Sequence, residues 1–146
     1  MIAVAVLLGS VSLYLNLDWF RSDNIRISYR FRPARFVFFG RKPPGDFARN
    51  LLIFMIDRKL KFTDVRVTPL DILRTNKYAQ PVWHLVSESN SVPIKYFAYG
   101  MDIKGMHPDI KGAVADPLVM GIPYRMELDL GKKKIDYDFT PGQTPQ

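Results

Sequence analysis

Between residues 24 and 32 the side chains alternate almost without error. Ile25, Ile27, Tyr29 and Phe31 fall on one side; Arg26, Ser28, Arg30 and Arg32 fall on the other. An extended chain throws successive side chains to opposite faces, so a period of two kept up for eight residues commits the segment to a strand with one face buried and one wet. The pattern returns near the other end. Tyr124, Met126, Leu128 and Leu130 alternate with Arg125, Glu127 and Asp129, and past Gly131-Lys132-Lys133 the residues Ile135, Tyr137 and Phe139 alternate with Asp136 and Asp138. Two such runs joined by a glycine-bearing turn predict a hairpin.

The chain between these runs keeps the same texture. Pro33 ends the first strand, residues 36–39 are a short apolar run, and Arg41-Lys42-Pro43-Pro44-Gly45-Asp46 reads as a loop. Residues 51–56 are continuously apolar, which fits a central strand covered on both sides. Asp57-Arg58-Lys59 reads as a turn. Residues 60–68 then resume as a strand, bulged at Thr63-Asp64, where the apolar parity slips between Phe62 and Val65. The helix-like stretch of this body, residues 69–80, allows one or two turns. Residues 82–87 and 94–99 are further strands, and residues 100–123 form a long connection rich in Gly and Pro. Seven short strands about ten residues apart, with no helices to cross between them, predict an all-β fold: a seven-stranded antiparallel sandwich.

A chain of 146 residues, 47% apolar and 13% aromatic, suits one such domain, expected over residues 21–140, and is too apolar for disorder. There is no cysteine. Disulfides, thiolate metal sites, a cysteine nucleophile and a lipid-modified N-terminal cysteine are therefore excluded, while the redox compartment stays open. Residues 1–17 carry no charge, and Asp18, Trp19, Phe20 and Arg21 follow. Seventeen to twenty helical residues reach about 26–30 Å, the thickness of a bilayer's hydrocarbon core, and Trp19 and Phe20 suit its interface. Residues 1–20 are thus expected to be a single membrane anchor. The alternatives are a signal peptide cut near Ser10 and Ser12, or a buried helix or strand; the absence of Lys or Arg before the apolar run weighs against the signal peptide. Counting Lys and Arg near the membrane puts the body in the cytoplasm. An N-terminal apolar segment ahead of a cysteine-free β domain is the layout of an exported module, and export is the reading favoured here. Residues 141–146 are expected to be a disordered tail.

The segment Leu118-Val119-Met120-Gly121-Ile122-Pro123-Tyr124-Arg125-Met126-Glu127-Leu128 resembles the fibronectin type III pattern, in which a leucine and a Pro-Gly-type turn precede a Tyr-x-hydrophobic-x-hydrophobic strand. The resemblance implies a fibronectin/immunoglobulin-like sandwich with Leu118 as the leucine of the pattern and Tyr124 as a tyrosine corner, its hydroxyl bonding to backbone upstream. Met120 stands where that family often has proline, and the family's early-strand tryptophan is missing. Thr75-Asn76-Lys77-Tyr78, Pro81-Val82-Trp83-His84-Leu85-Val86-Ser87 and Ser89-Asn90-Ser91-Val92-Pro93 resemble a family of small membrane-anchored bacterial envelope proteins. That likeness supplies no activity; the export reading puts the body on the extracytoplasmic face of a bacterial inner membrane.

Charge is concentrated early. Arg21, Arg26, Arg30, Arg32, Arg35, Arg41 and Lys42 stand against Asp23 alone, giving +6 of the chain's +7 within residues 21–42. Arg26, Arg30, Arg32 and Arg35 could bind anionic headgroups or an acidic polymer, each contributing on the order of 1 kcal/mol at such a surface. The plainer reading is a solvated face that discourages edge pairing. Nucleic acid is not expected, because the aromatics of this strand alternate inward and leave no stacking platform. Asp102-Ile103-Lys104-Gly105 and Asp109-Ile110-Lys111-Gly112 repeat seven residues apart, near His107 and Asp116. A lysine two residues after each aspartate, and no glutamate to close a calcium loop, favour two Asp/Gly turns over a metal site. His84 has Ser87, Ser89 and Ser91 nearby but no nucleophile-elbow pattern, so a structural histidine is expected. Trp83 reads as core. With two histidines, no cysteine and no phosphate-cradling glycine loop, no metal or cofactor is expected, and the sequence leaves a small-molecule ligand open. The expected function is a non-catalytic, membrane-tethered module that meets other envelope proteins. A binder of anionic lipid or cell-wall polymer through the arginine face is the alternative, and a His-centred hydrolase the third reading.

Overall fold

The computed structural model describes residues 6, 9–11, 14, 24–33 and 50–143. Its strands are β1 (Ile27–Pro33), β2 (Asn50–Leu60), β3 (Asp64–Pro69), β4 (Trp83–Val86), β5 (Ile94–Ala98), β6 (His107–Pro108), β7 (Tyr124–Asp129) and β8 (Lys134–Phe139), and the short helix α1 (Leu70–Thr75) follows β3. They form two antiparallel sheets, one in the order β1-β2-β5 and one in the order β6-β4-β3-β7-β8. The described strands number eight rather than the expected seven. The extra one is β6, two residues of the long connection that pair with Leu85 and Val86. Two residues are too few to show a period.

Alternation explains the pairing. Tyr29 stands opposite Phe54 and Phe31 opposite Leu52, all on the inner face, while Arg30 opposite Ile53 and Ser28 opposite Met55 look outward. In the larger sheet Val65, Leu128, Val67 and Met126 point inward along β3 and β7, and Arg66 and Glu127 point outward. The layers close on an aromatic core. Phe54 lies 5.4 Å from Phe97 in its own sheet and 5.0 Å, edge-on, from Phe139 in the other, and Phe62 and Trp83 pack on Phe97 from the side.

The break between β2 and β3 corrects the sequence reading. Asp57-Arg58-Lys59 does not turn; β2 runs through it to Leu60. The Asp57 N–H donates to the Arg26 carbonyl (3.1 Å), and its carboxylate takes two bonds from Arg58, so these charges are satisfied on an extended strand. The register irregularity lies inside β2, between Met55 and Leu60, rather than at Thr63-Asp64. The chain crosses between the sheets at residues 61–63. There Phe62 is buried, donating its N–H to the Ser91 hydroxyl and accepting the Ser91 N–H at its carbonyl, both at 2.8 Å.

Among the described residues no helix is long and apolar enough to cross a membrane. Of the expected anchor over residues 1–20, only 6, 9–11 and 14 are described, all helical; the rest, with residues 36–46, lies outside the described residues. At the other end the body continues past residue 140. Pro141 is buried and accepts the Gly121 N–H, and the Tyr29 hydroxyl donates to the carbonyl of Gln143 at 2.9 Å. Residues 144–146 lie outside the described residues.

Candidate functional site

The outer face of the larger sheet brings together residues far apart in the chain. Register sets His84 on β4 beside Arg66 on β3, and Arg66 beside Glu127 on β7. The His84 Nε2 lies 3.0 Å from Asp64 Oδ2 and its Nδ1 lies 3.5 Å from Asp109 Oδ2, while Arg66 grips Asp64 with two N–H groups at 3.3 and 3.0 Å. Neutral imidazole donates to one of the two carboxylates; imidazolium donates to both. Partial burial works to raise the Asp64 carboxyl, but hydrogen bonds from His84 and Arg66, with their charges, outweigh it and hold the group below the usual carboxylate range.

A depressed carboxyl contributes stability above its unfolded pKa of about 3.9 and loses it as pH falls through the lower folded value. Asp64→Asn is therefore expected to lower the urea midpoint at neutral pH and to flatten its decline below about pH 4. Midpoints measured across that range check this; an unchanged acid limb would show that the Asp64 charge is not linked to folding.

Beside this cluster lies a groove of about 1050 Å³, lined from β4 and from the connection that follows β5 by residues that include Val82, Trp83, Met101, Ile103 and Met106. The connection is pinned by backbone. The Asp116 N–H donates to the Val82 carbonyl at 2.8 Å, and the Tyr99 hydroxyl donates to the Asp116 carbonyl at 2.7 Å, burial keeping that phenol protonated. The two Asp/Gly turns lie here, and a Cβ on Gly105, whose φ is +88°, would meet the Asn90 carbonyl oxygen at 3.2 Å. Hydroxyls near His84 in sequence are spent on backbone: Ser87 donates to the Gly105 carbonyl and Ser91 to the Val92 carbonyl. The His107 Nδ1 faces the Pro108 carbonyl, and among the described residues no three His, Asp or Glu side chains are placed to hold a metal.

The outer face of the smaller sheet differs in chemistry. Arg26, Arg30 and Arg32 are all exposed on it; Arg35 lies outside the described residues. Arg26 stands near Asp57, whose carboxyl is held low chiefly by its bonded Arg58. Between the arginines and the far edge of β5 run the half-buried Ile53 and Met55 and the exposed Tyr96, aligned with Met55. The residues singled out for a structural role lie inside. Trp83 and Tyr124 are buried, Leu118 is half-buried against the core, and the Tyr124 hydroxyl accepts the Val119 N–H at 3.0 Å.

Sequence reasoning missed Asp64, Arg66 and Tyr96. Asp64 and Arg66 flank Val65 on one strand, a spacing that marks a shared wet face, but only the β3–β4 register shows that His84 lies opposite. Comparison with protein-family models, with curated proteins and with solved structures finds no match to this chain.

Proposed function

We propose that the chain is a non-catalytic interaction module: a fibronectin type III/immunoglobulin-like sandwich, held at a membrane by its N-terminal run, that meets other proteins of a bacterial envelope. One observation carries the kinship. The strand after the long connection, β7, opens on a buried tyrosine whose hydroxyl is bonded to backbone five residues upstream, as at the tyrosine corner of such sandwiches. The strand order, with connections that pass between the layers after β2, after β4 and after β5, agrees with it. A rigid frame of this kind binds through faces and loops and needs no reacting group. His84 supports the non-catalytic reading, because each ring nitrogen faces a carboxylate and the neighbouring Ser87 and Ser91 hydroxyls are bonded to carbonyls.

The tether is supported by the uncharged residues 1–17, which end nine residues before β1. Full-length protein is expected in the membrane pellet, resisting high salt and released by detergent. Recovery in the soluble fraction after lysis without detergent would overturn the tether. Protease added to intact and to opened cells reads sidedness: digestion once the outer barrier alone is breached is the expected result for an extracytoplasmic body, and protection until the inner membrane is broken reverses the orientation.

A further inference from the structure

The two outer faces of the sandwich have opposite sign. On the larger sheet Asp64, Glu127, Asp129, Asp136 and Asp138 face Arg66, Arg125 and Lys134, five carboxylates against three cations. On the smaller one Arg26, Arg30 and Arg32 share a face with Asp57 alone among the described residues, three cations against one carboxylate. We propose that the outer face of β1, β2 and β5 lies against a bilayer surface that contains anionic headgroups. The proposal rests on the tether reading above, which supplies the membrane, and adds which side of the body turns towards it.

Three observations point the same way. The first is the state of the guanidinium groups. Arg125 binds Asp138 through two N–H groups at 2.7 and 2.9 Å and Arg66 binds Asp64 likewise, whereas Arg30 and Arg32 have no carboxylate partner among the described residues. An open guanidinium fork matches the oxygens of a phosphate. The second is what lies between the charges. Besides Ser28, this face carries the buried Leu51, the half-buried Ile53 and Met55, and Tyr96, 70% exposed. Basic side chains at headgroup depth, with a tyrosine and apolar side chains beside them, match the layering of a membrane interface. The third is reach. Nine residues separate position 17 from β1, a span of at most about 30–36 Å fully extended, so a chain whose first residues sit in the bilayer holds this sheet within contact of the same surface.

The cysteine-free chain makes the test direct, since one introduced cysteine labels one site. Ser28 faces outward opposite Met55, and Asp136 faces outward on the other sheet. Full-length Ser28→Cys and Asp136→Cys proteins, each carrying an environment-sensitive dye, are reconstituted with zwitterionic vesicles and with vesicles about one-third phosphatidylglycerol. The dye at position 28 is expected to shift to the blue and to be quenched by lipid-borne quenchers in the anionic vesicles only. The dye at position 136 stays in water throughout. Salt near 1 M, where the screening length is about 3 Å, returns the first dye to water. Replacing both Arg30 and Arg32 by Ser lowers the docked-to-undocked ratio about 25-fold, taking about fivefold for each arginine at such a surface; replacing both by Lys, which keeps the charge but loses the fork, weakens docking by less than the Ser pair does.

A chain that enters both kinds of vesicle while the position-28 dye remains aqueous overturns the docked face and leaves the tether standing. Binding to anionic vesicles alone, reversed by salt, overturns the tether and leaves the docked face standing. A position-28 dye that responds to a soluble polyphosphate but not to anionic vesicles assigns the face to an acidic polymer and overturns the lipid proposal.

Discussion

Phe54→Ala is expected to destabilise the sandwich by about 3–5 kcal/mol, the range for removing a buried phenylalanine ring. Phe54 sits at the middle of β2, the central strand of its sheet, and is fully buried. Its ring touches Phe97 beside it and Phe139 across the interior, and Tyr29 lies 6.4 Å away, so one truncation loosens both layers at once. The hole left behind is bounded by strands held in register by their ladders, and such walls collapse only partly. The melting temperature should fall on the order of 10 °C or more, and urea unfolding should show a lower midpoint at an unchanged slope. Phe54→Leu, which keeps most of the volume, is expected to cost less than half as much. A loss below about 1 kcal/mol for Phe54→Ala would mean that the ring does not join the two layers.

Tyr124→Phe is the second large effect, and it isolates one atom. The ring stays stacked on Phe139, at 5.9 Å and 23° between planes, while the acceptor for the Val119 N–H is lost. Leaving that donor unpaired beside a buried ring costs about 1–3 kcal/mol. Amide exchange at Val119 should accelerate in the variant by more than at positions of β7 itself. Tyr96→Phe is the matched control. Its phenol is exposed, so the same chemical change there should stay within about 0.5 kcal/mol. Equal effects at the two positions would remove the corner from the account of how β7 is placed.

The strands that face water on one side were the legible ones. β1, β7 and β8 each have a wet face, and a wet face prints its period into the sequence. β2 was misread at its far end because Asp57, Arg58 and Lys59 carry turn-like composition. What keeps them extended is a backbone bond to Arg26, thirty-one residues earlier, and no local pattern contains that. β6 is two residues paired to a strand more than twenty positions away. The surface around His84 was out of reach for a similar reason. Asp64, His84 and Asp109 come from three segments, and their meeting depends on the β3–β4 register and on where the long connection returns. The arginine face, by contrast, followed from parity alone, and its apolar neighbours became visible only once β2 and β5 were laid beside β1.

The hydroxyl of Tyr29 reaches a carbonyl 114 residues further along. During synthesis the residues that finally cap the Tyr29 ring, Tyr137, Phe139 and the turn through Gln143, emerge more than a hundred residues after it. Until then the rings of Tyr29 and Phe54 lack Phe139 as their opposite wall. Closing a loop of that length late makes folding slow, and it leaves apolar strand faces exposed until the closure is made. Between those two moments the face of β1 that the finished fold hides stays open to other apolar surfaces.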